Sequence, residues 1–177
     1  MLHISKKYRK GLKFAGAIML LLLAVYAVLP TKIQNPVEGF ADEGYDSLAF
    51  WHRWGDHYHR GIDIFADRGT PVHPAIGGIV TMVGHNRRFG GNCVEILSSG
   101  FRLHYYAHMD TVTAHLGTFV TKESVIGTIG NTGNAAGKPY HLHYSIASVL
   151  PLGDWRFDKK MFSFYINPIT ELKRTYR

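Results

Sequence analysis

The sequence predicts an all-β fold, a small antiparallel β sandwich or barrel-like domain, preceded by one N-terminal transmembrane helix. Two observations predict the β domain. After residue 47, short runs of β-branched and aromatic residues alternate with glycine-rich turns, and no stretch after residue 31 keeps a helical period. A third observation predicts the helix: an uncharged apolar run stands behind a cluster of basic residues.

Residues 1–13 contain Lys6, Lys7, Arg9, Lys10 and Lys13 and no acidic residue, the pattern of a basic cytoplasmic segment. Residues 14–30 follow as a transmembrane anchor or uncleaved signal; Phe14 to Leu29 carries no charge, slightly fewer residues than the roughly 20 of a bilayer crossing. Such an anchor makes the cytoplasmic membrane a partner and puts the domain that follows on its periplasmic or extracellular side. A signal peptide cleaved near Ala27 is the competing reading and would release a secreted protein.

Residues 31–47, with Pro36, Gly39 and Gly44, read as a linker. Residues 48–177 are the expected folded domain, about 130 residues and enough for one core. Its candidate strands are Val80–Val83, Val94–Leu97, Leu103–Tyr106, Val125–Ile129 and Leu142–Ala147. Gly77-Gly78, Gly90-Gly91-Asn92, Ser98-Ser99-Gly100 and the segment from Asn131 to Pro139 supply the turns. Near the end, Asn167-Pro168 marks a turn, and Ile169–Arg174 is expected to make one short helical turn.

Charge and cysteine usage exclude some functions. The formal net charge is +7, but five of the 20 basic residues lie in the first 13 positions; beyond them 15 basic residues face 13 acidic ones. The basic balance belongs to the topology signal, and no nucleic-acid partner is expected. Cys93 is the one cysteine, so no intrachain disulfide forms, and its apolar neighbourhood marks it as a small buried hydrophobe.

The chemistry concentrates in two short motifs: His59 and Asp63 in HRGID, and His141 and His143 in HLH. A catalytic zinc site takes three protein ligands and leaves a fourth position for water. On an extended backbone, His141 and His143 share a face, with Cα atoms about 7 Å apart. One imidazole can then hold the ion while its neighbour accepts a proton from the water. In HRGID, an extended chain puts His59, Gly61 and Asp63 on one face, and Gly61 leaves the space that a bulkier residue would fill. With 11 histidines, other close pairs also occur, namely His57 with His59 and His104 with His108.

Three segments occur in order: HRGIDIFADRGTPVHPAIGGIV, then LHYYAHMD, then VIGTIGNTGNAAGKPYHLHYSI. From His59 to Ile146, about half the chain, they resemble the lysostaphin/LytM family of zinc peptidoglycan endopeptidases. The resemblance implies one Zn2+ ion held by His59, Asp63 and His143, with His108 and His141 as non-ligating catalytic histidines. It implies peptidoglycan as substrate and hydrolysis of a stem or crosslink amide by a water at the zinc. His141 is then the general base, and His108 stabilises the oxyanion or helps the leaving amine. One departure is Ser145, where members often carry an acidic residue; it is read as a strand surface residue.

The alternative is a membrane-tethered, non-catalytic regulator of cell-wall hydrolases, although relatives used so typically lack the metal ligands kept here. His52 and His57 could line a groove rim. His73, His85, His104 and His115 read as surface or satisfied structural residues, and Arg87 and Arg88 as a solvated turn. Asn35, Asp42 and Asp46 are candidates for auto-inhibitory occupation of an open metal position. The bond cut and the oligomeric state are left open by the sequence.

Overall fold

Alternation of apolar and polar residues over four glycine-bounded segments produces the long strands of the molecule. The computed structural model describes residues 6–28, 32–38, 50–54, 57–86, 89–149 and 164–175. Lys6–Val28 is helix α1. The strands are β1 (Arg53–Trp54), β2 (His57–Tyr58), β3 (Ile62–Phe65), β4 (Pro71–Val72), β5 (Gly78–Asn86), β6 (Gly91–Ser98), β7 (Arg102–Met109), β8 (Phe119–Val120), β9 (Gly127–Thr128), β10 (His141–Ser148) and β11 (Tyr165–Ile166), followed by helix α2 (Pro168–Thr175).

Among the described residues, β11, β10, β7, β6, β5 and β8 lie side by side in that order, and β3 joins the same sheet by pairing with β10. Its pairings are antiparallel. Strands β1–β2 and β4–β9 form two separate ribbons. The four long strands extend beyond the runs expected from sequence by two to five residues, because ladder hydrogen bonds recruit flanking residues of weak propensity. Of the expected strand Val125–Ile129, only Gly127–Thr128 pairs.

Strand β10 puts Leu142, Tyr144 and Ile146 into the core, where they meet Ile62 and Ile64 of β3, Tyr106 of β7 and Val94 and Ile96 of β6. Each such side chain contributes roughly 1.5–3 kcal/mol of burial. The opposite face of β10 and β3 carries His141, His143 and Asp63. Within residues 32–38, Ile33 and Val37 are buried in the same core, and Gln34 donates its backbone N–H to Ala75 O at 2.8 Å. Cys93 is likewise buried.

At the C-terminal end, Asn167 Oδ1 accepts the N–H of Ile169 at 3.0 Å and so caps α2, with Pro168 in its first turn. The buried carboxylate of Glu171 accepts from Arg102 Nη1 at 2.6 Å, which ties α2 to β7.

The structure does not support the expected transmembrane helix. Among the described residues no helix is long and apolar enough to cross a membrane. Helix α1 meets the β domain through an edge-on contact between Tyr26 and Phe101, centroids 5.2 Å apart. Arg87, Arg88, Asp42 and Asp46 lie outside the described residues.

Candidate metal centre

Strand pairing assembles the site. His143 on β10 stands directly opposite Asp63 on β3 and Ala107 on β7. His59 precedes β3 by three residues, its amide held by His52 O at 2.8 Å. The donor atoms of His59, Asp63 and His143 all lie within 4.8 Å of one another. His59 Nε2 is 2.8 Å from His143 Nδ1; Asp63 Oδ1 is 3.0 Å from His143 Nδ1 and 3.2 Å from His59 Nε2. Donors bound to one zinc ion at about 2.0–2.1 Å in tetrahedral directions stand about 3.4 Å apart. The three atoms therefore sit near the spacing a metal needs, and two imidazoles with one carboxylate are a suitable donor set.

Gly61 completes the cradle. A Cβ there would lie 2.5 Å from Tyr144 O and 2.8 Å from Cε1 of the His143 ring. The imidazole packs against the bare backbone of Gly61, so the absence of a side chain fixes where the ring lies.

His141 and His108 flank the trio. Their ring centroids are 5.0 Å apart, and His108 lies 5.9 Å from the ring of His143. Each is oriented in the same manner. Nδ1 of His141 donates to Pro139 O at 2.8 Å, and Nδ1 of His108 donates to Thr132 O at 2.9 Å. In the neutral ring, a proton on Nδ1 leaves Nε2 with the lone pair. Both imidazoles thus present a proton-accepting nitrogen.

His108 reaches the groove through an irregularity. The β6–β7 register shifts between Asn92 and Val94, and His108 has φ 65°, in the left-handed region. The bulge turns the ring out of the core, and the conformation is held by the His108 N–H to Gly90 O at 2.8 Å.

Burial shapes the protonation states. It lowers His108 to about 4, helped by the neighbouring His143 and His141 and opposed by Thr132 O and Asp63. It lowers His143 as well, against the pull of Asp63. Burial on its own would raise Asp63, but hydrogen bonds and charge from His143 and His59 hold its carboxyl well below the usual range. Neutral imidazoles beside an ionised carboxylate are the form that binds a cation.

The trio opens into a groove of about 740 Å³ whose lining includes Tyr58, Phe65, Phe89 and Tyr105 together with all five sequence-selected residues. Trp51 stacks on Tyr58, 5.5 Å between centroids. Of the rim histidines, His52 contributes its carbonyl as described, and the side chain of His57 lies outside those described. Ser145 is buried opposite Tyr105 and is not a surface residue. His104, expected at the surface or satisfied, is fully buried with Nδ1 sharing a 2.7 Å hydrogen bond with Tyr144 and Nε2 unpartnered. Asn35 Oδ1 accepts the N–H of Val37 at 3.0 Å. Thr132 and Pro139 were missed by sequence reasoning because they act through backbone carbonyls, which carry no side-chain signature.

Comparison with known proteins identifies the family of the chain. A family model described as Peptidase family M23 matches residues 57–153. The chain is 36% identical over 95 residues to the uncharacterized lipoprotein YgeR of Escherichia coli (strain K12), covering 53% of this chain and 38% of that protein. It is 34% identical over 88 residues to the peptidoglycan DD-endopeptidase ShyA of Vibrio cholerae serotype O1, covering 50% of this chain and 20% of that one. The chain thus spans well under half of either relative's length. The catalytic domain of lysostaphin from Staphylococcus simulans superimposes with a TM-score of 0.57 at 25% identity, covering 69% of this chain and 86% of that domain.

Proposed function

The chain belongs to peptidase family M23, and on that premise we propose that it is a zinc-dependent endopeptidase that hydrolyses amide bonds in peptidoglycan stems or crosslinks. The observation that carries the reading is the convergence of His59, Asp63 and His143 beside two imidazoles that each offer Nε2.

In this reading His59, Asp63 and His143 hold one metal ion. When bound, a zinc ion supplies Lewis acidity, polarising a scissile carbonyl and bringing the pKa of a water towards 7. His141 Nε2 takes the proton from the attacking water, and the bond from His141 Nδ1 to Pro139 O keeps the ring in the accepting tautomer. His108, ring to ring with His141 at 5.0 Å, moves the proton on to the leaving amine. Asp63 orients the ligand pair through its contacts with both imidazoles, while burial is what favours the neutral form of His143. The groove walls hold the peptide and exclude water from the reacting atoms.

Support for the substrate class comes from relatives: ShyA is by name a peptidoglycan DD-endopeptidase, and a further match is a glycyl-glycine endopeptidase from Staphylococcus capitis. Access to peptidoglycan requires a cell-envelope location, and the E. coli relative is by name a lipoprotein.

The test is incubation of the purified chain with peptidoglycan, with zinc and with chelator, and identification of released fragments by mass spectrometry. Zinc-dependent release of new peptide ends is the expected result. A folded, zinc-loaded chain that releases nothing would sink the hydrolase reading and favour the regulatory module.

A further inference from the structure

We propose that Asn92 and the hydroxyl of Thr132 are positioning residues that lock His108 into the groove with its Nε2 free to accept a proton. This rests on the hydrolase reading above and adds to it two residues that act through His108.

His108 sits where three segments meet: residues 89–92, which enter β6, the end of β7, and the loop 131–134. Two side chains tie them together. Asn92 Nδ2 donates to Met109 O at 3.1 Å and to Asp110 O at 2.9 Å. Thr132 Oγ1 donates to Met109 O at 2.9 Å and accepts the N–H of Asn92, also at 2.9 Å. The carbonyl of Met109, the residue after His108, thus uses both of its lone pairs on the two side chains. Both carbonyls facing Asn92 only accept, so its NH2 must turn towards them. Its Oδ1 then accepts from Nδ1 of His85.

The glycines show how closely the segments approach. Gly91 and Gly133 have φ of 62° and 71°. A Cβ on Gly91 would overlap Thr132 Oγ1, and one on Gly133 would overlap Phe89 O and Gly91 N. The two turns meet backbone to backbone, with the Thr132 hydroxyl filling the space between.

The clamp holds the conformation of His108. Its φ of 65° is sparsely populated for a residue with a side chain, and persists only where neighbours over-determine it. The register shift that accompanies it begins at Asn92, whose partner across the ladder is Met109. Thr132 O, the acceptor of His108 Nδ1, belongs to the same residue as the clamping hydroxyl. Losing the hydroxyl or the amide therefore loosens both the bulge and the acceptor that sets the tautomer. The backbone ties from Asn134 N to Phe89 O and from His108 N to Gly90 O, each 2.8 Å, remain. The metal donors stand on β10, on β3 and just before β3, elements to which these clamp bonds do not run.

The experiment uses the full chain loaded with zinc. Thr132→Val keeps the shape of the side chain and removes both hydroxyl bonds, and Thr132→Ser restores them. Asn92→Asp keeps the shape and sets a carboxylate oxygen against two carbonyls. Zinc affinity is read by chelator competition and turnover on a soluble crosslinked muropeptide. The His108 tautomer is read from its ring 15N shifts, assigned by their loss in His108→Ala. Thr132→Val and Asn92→Asp are expected to lose about 10–100-fold in kcat, with KM and zinc affinity nearly unchanged. The His108 signal should pass from Nδ1–H alone to a mixture of tautomers, and Thr132→Ser should recover both readouts. In a His108→Ala background the same changes should cost no further kcat, because a positioning residue acts through the ring it positions.

Circular dichroism checks folding, and Thr132→Val, which keeps every backbone hydrogen bond, carries the test if Asn92→Asp does not fold. Wild-type kcat with an unmixed Nδ1–H signal in Thr132→Val would overturn the proposal. So would an equal loss in the His108→Ala background, or a loss that zinc affinity shares. If the wild-type chain cleaves nothing, the hydrolase reading falls and the tautomer alone decides: a mixture in Thr132→Val upholds the clamp, and an unmixed signal overturns it.

Discussion

Asp63 and His143 are directly opposed residues of the β3–β10 ladder, and Asp63 Oδ1 lies 3.0 Å from His143 Nδ1. Backbone pairing alone therefore sets the distance between carboxylate and imidazole, on a rigid part of the sheet. Removing the carboxylate takes away the one anionic donor of the trio. Asp63→Ala should lower zinc affinity by more than the roughly 10–100-fold that loss of an outer-shell partner costs. Competition against a chromophoric chelator measures it. Wild-type affinity in the variant would exclude Asp63 as a ligand.

His141 sits two residues from His143 on the same face, yet its Nδ1 is tied to Pro139 O. Loss of its ring should leave the three metal donors in place. His141→Ala should keep stoichiometric zinc and lose about 10²–10⁴-fold in kcat, the usual worth of a positioned general base. Metal analysis beside steady-state kinetics on peptidoglycan separates the two effects. Full turnover in His141→Ala would remove the general-base assignment.

Much of this site is legible as strand alternation. In β10, Leu142, Tyr144 and Ile146 point one way and His141 and His143 the other; in β3, Ile62 and Ile64 oppose Asp63. Given extended chains, four of the five residues fall on one face without further information. His108 does not. It shares parity with His104 and Tyr106, which are buried, so simple alternation sends all three into the core. The bulge opposite Asn92 and Val94 and the φ of 65° reverse His108 and leave His104 behind. Both depend on Gly90 and Thr132, partners distant in sequence, and only the resemblance to a family separated the two histidines beforehand. The two-residue strands were equally hidden, since partner strands determine them more than their own composition.

Gly61 gives a test of how tightly the His143 ring is held. In Gly61→Ala the new methyl would meet Tyr144 O at 2.5 Å and the imidazole at 2.8 Å, so either the ring or the ladder must move. Expected are a stability loss of about 1–3 kcal/mol from overpacking and zinc binding weakened by roughly 10–100-fold, as for a disturbed ligand orientation. Gly84→Ala is the control. Its methyl would meet only Cys93 Sγ at 3.3 Å in the same sheet, and zinc binding should hold. Chelator competition and urea unfolding on both variants give the comparison; unchanged zinc affinity in Gly61→Ala would mean that the ring tolerates displacement.

His104 couples stability to pH independently of the metal centre. Burial, with a smaller contribution from the charge of Arg102, lowers it to about 3. In the unfolded chain it titrates near 6.5. Above that pH both states are neutral and the fold keeps its full stability. As pH falls from about 6.5 towards 3, the unfolded chain takes up a proton that the folded one refuses, and stability drops by about 1.4 kcal/mol per pH unit from this group. Near pH 5 the deficit is about 2 kcal/mol. Because Tyr144 shares its hydrogen bond with His104 at 2.7 Å, removing both partners strands neither. The variant for the test is therefore His104→Leu with Tyr144→Phe. Urea unfolding at pH 7 and pH 5 should show a smaller acid-side loss in the double variant than in the wild type, by about that 2 kcal/mol. An identical loss in both would mean that the folded protein accommodates the charged ring.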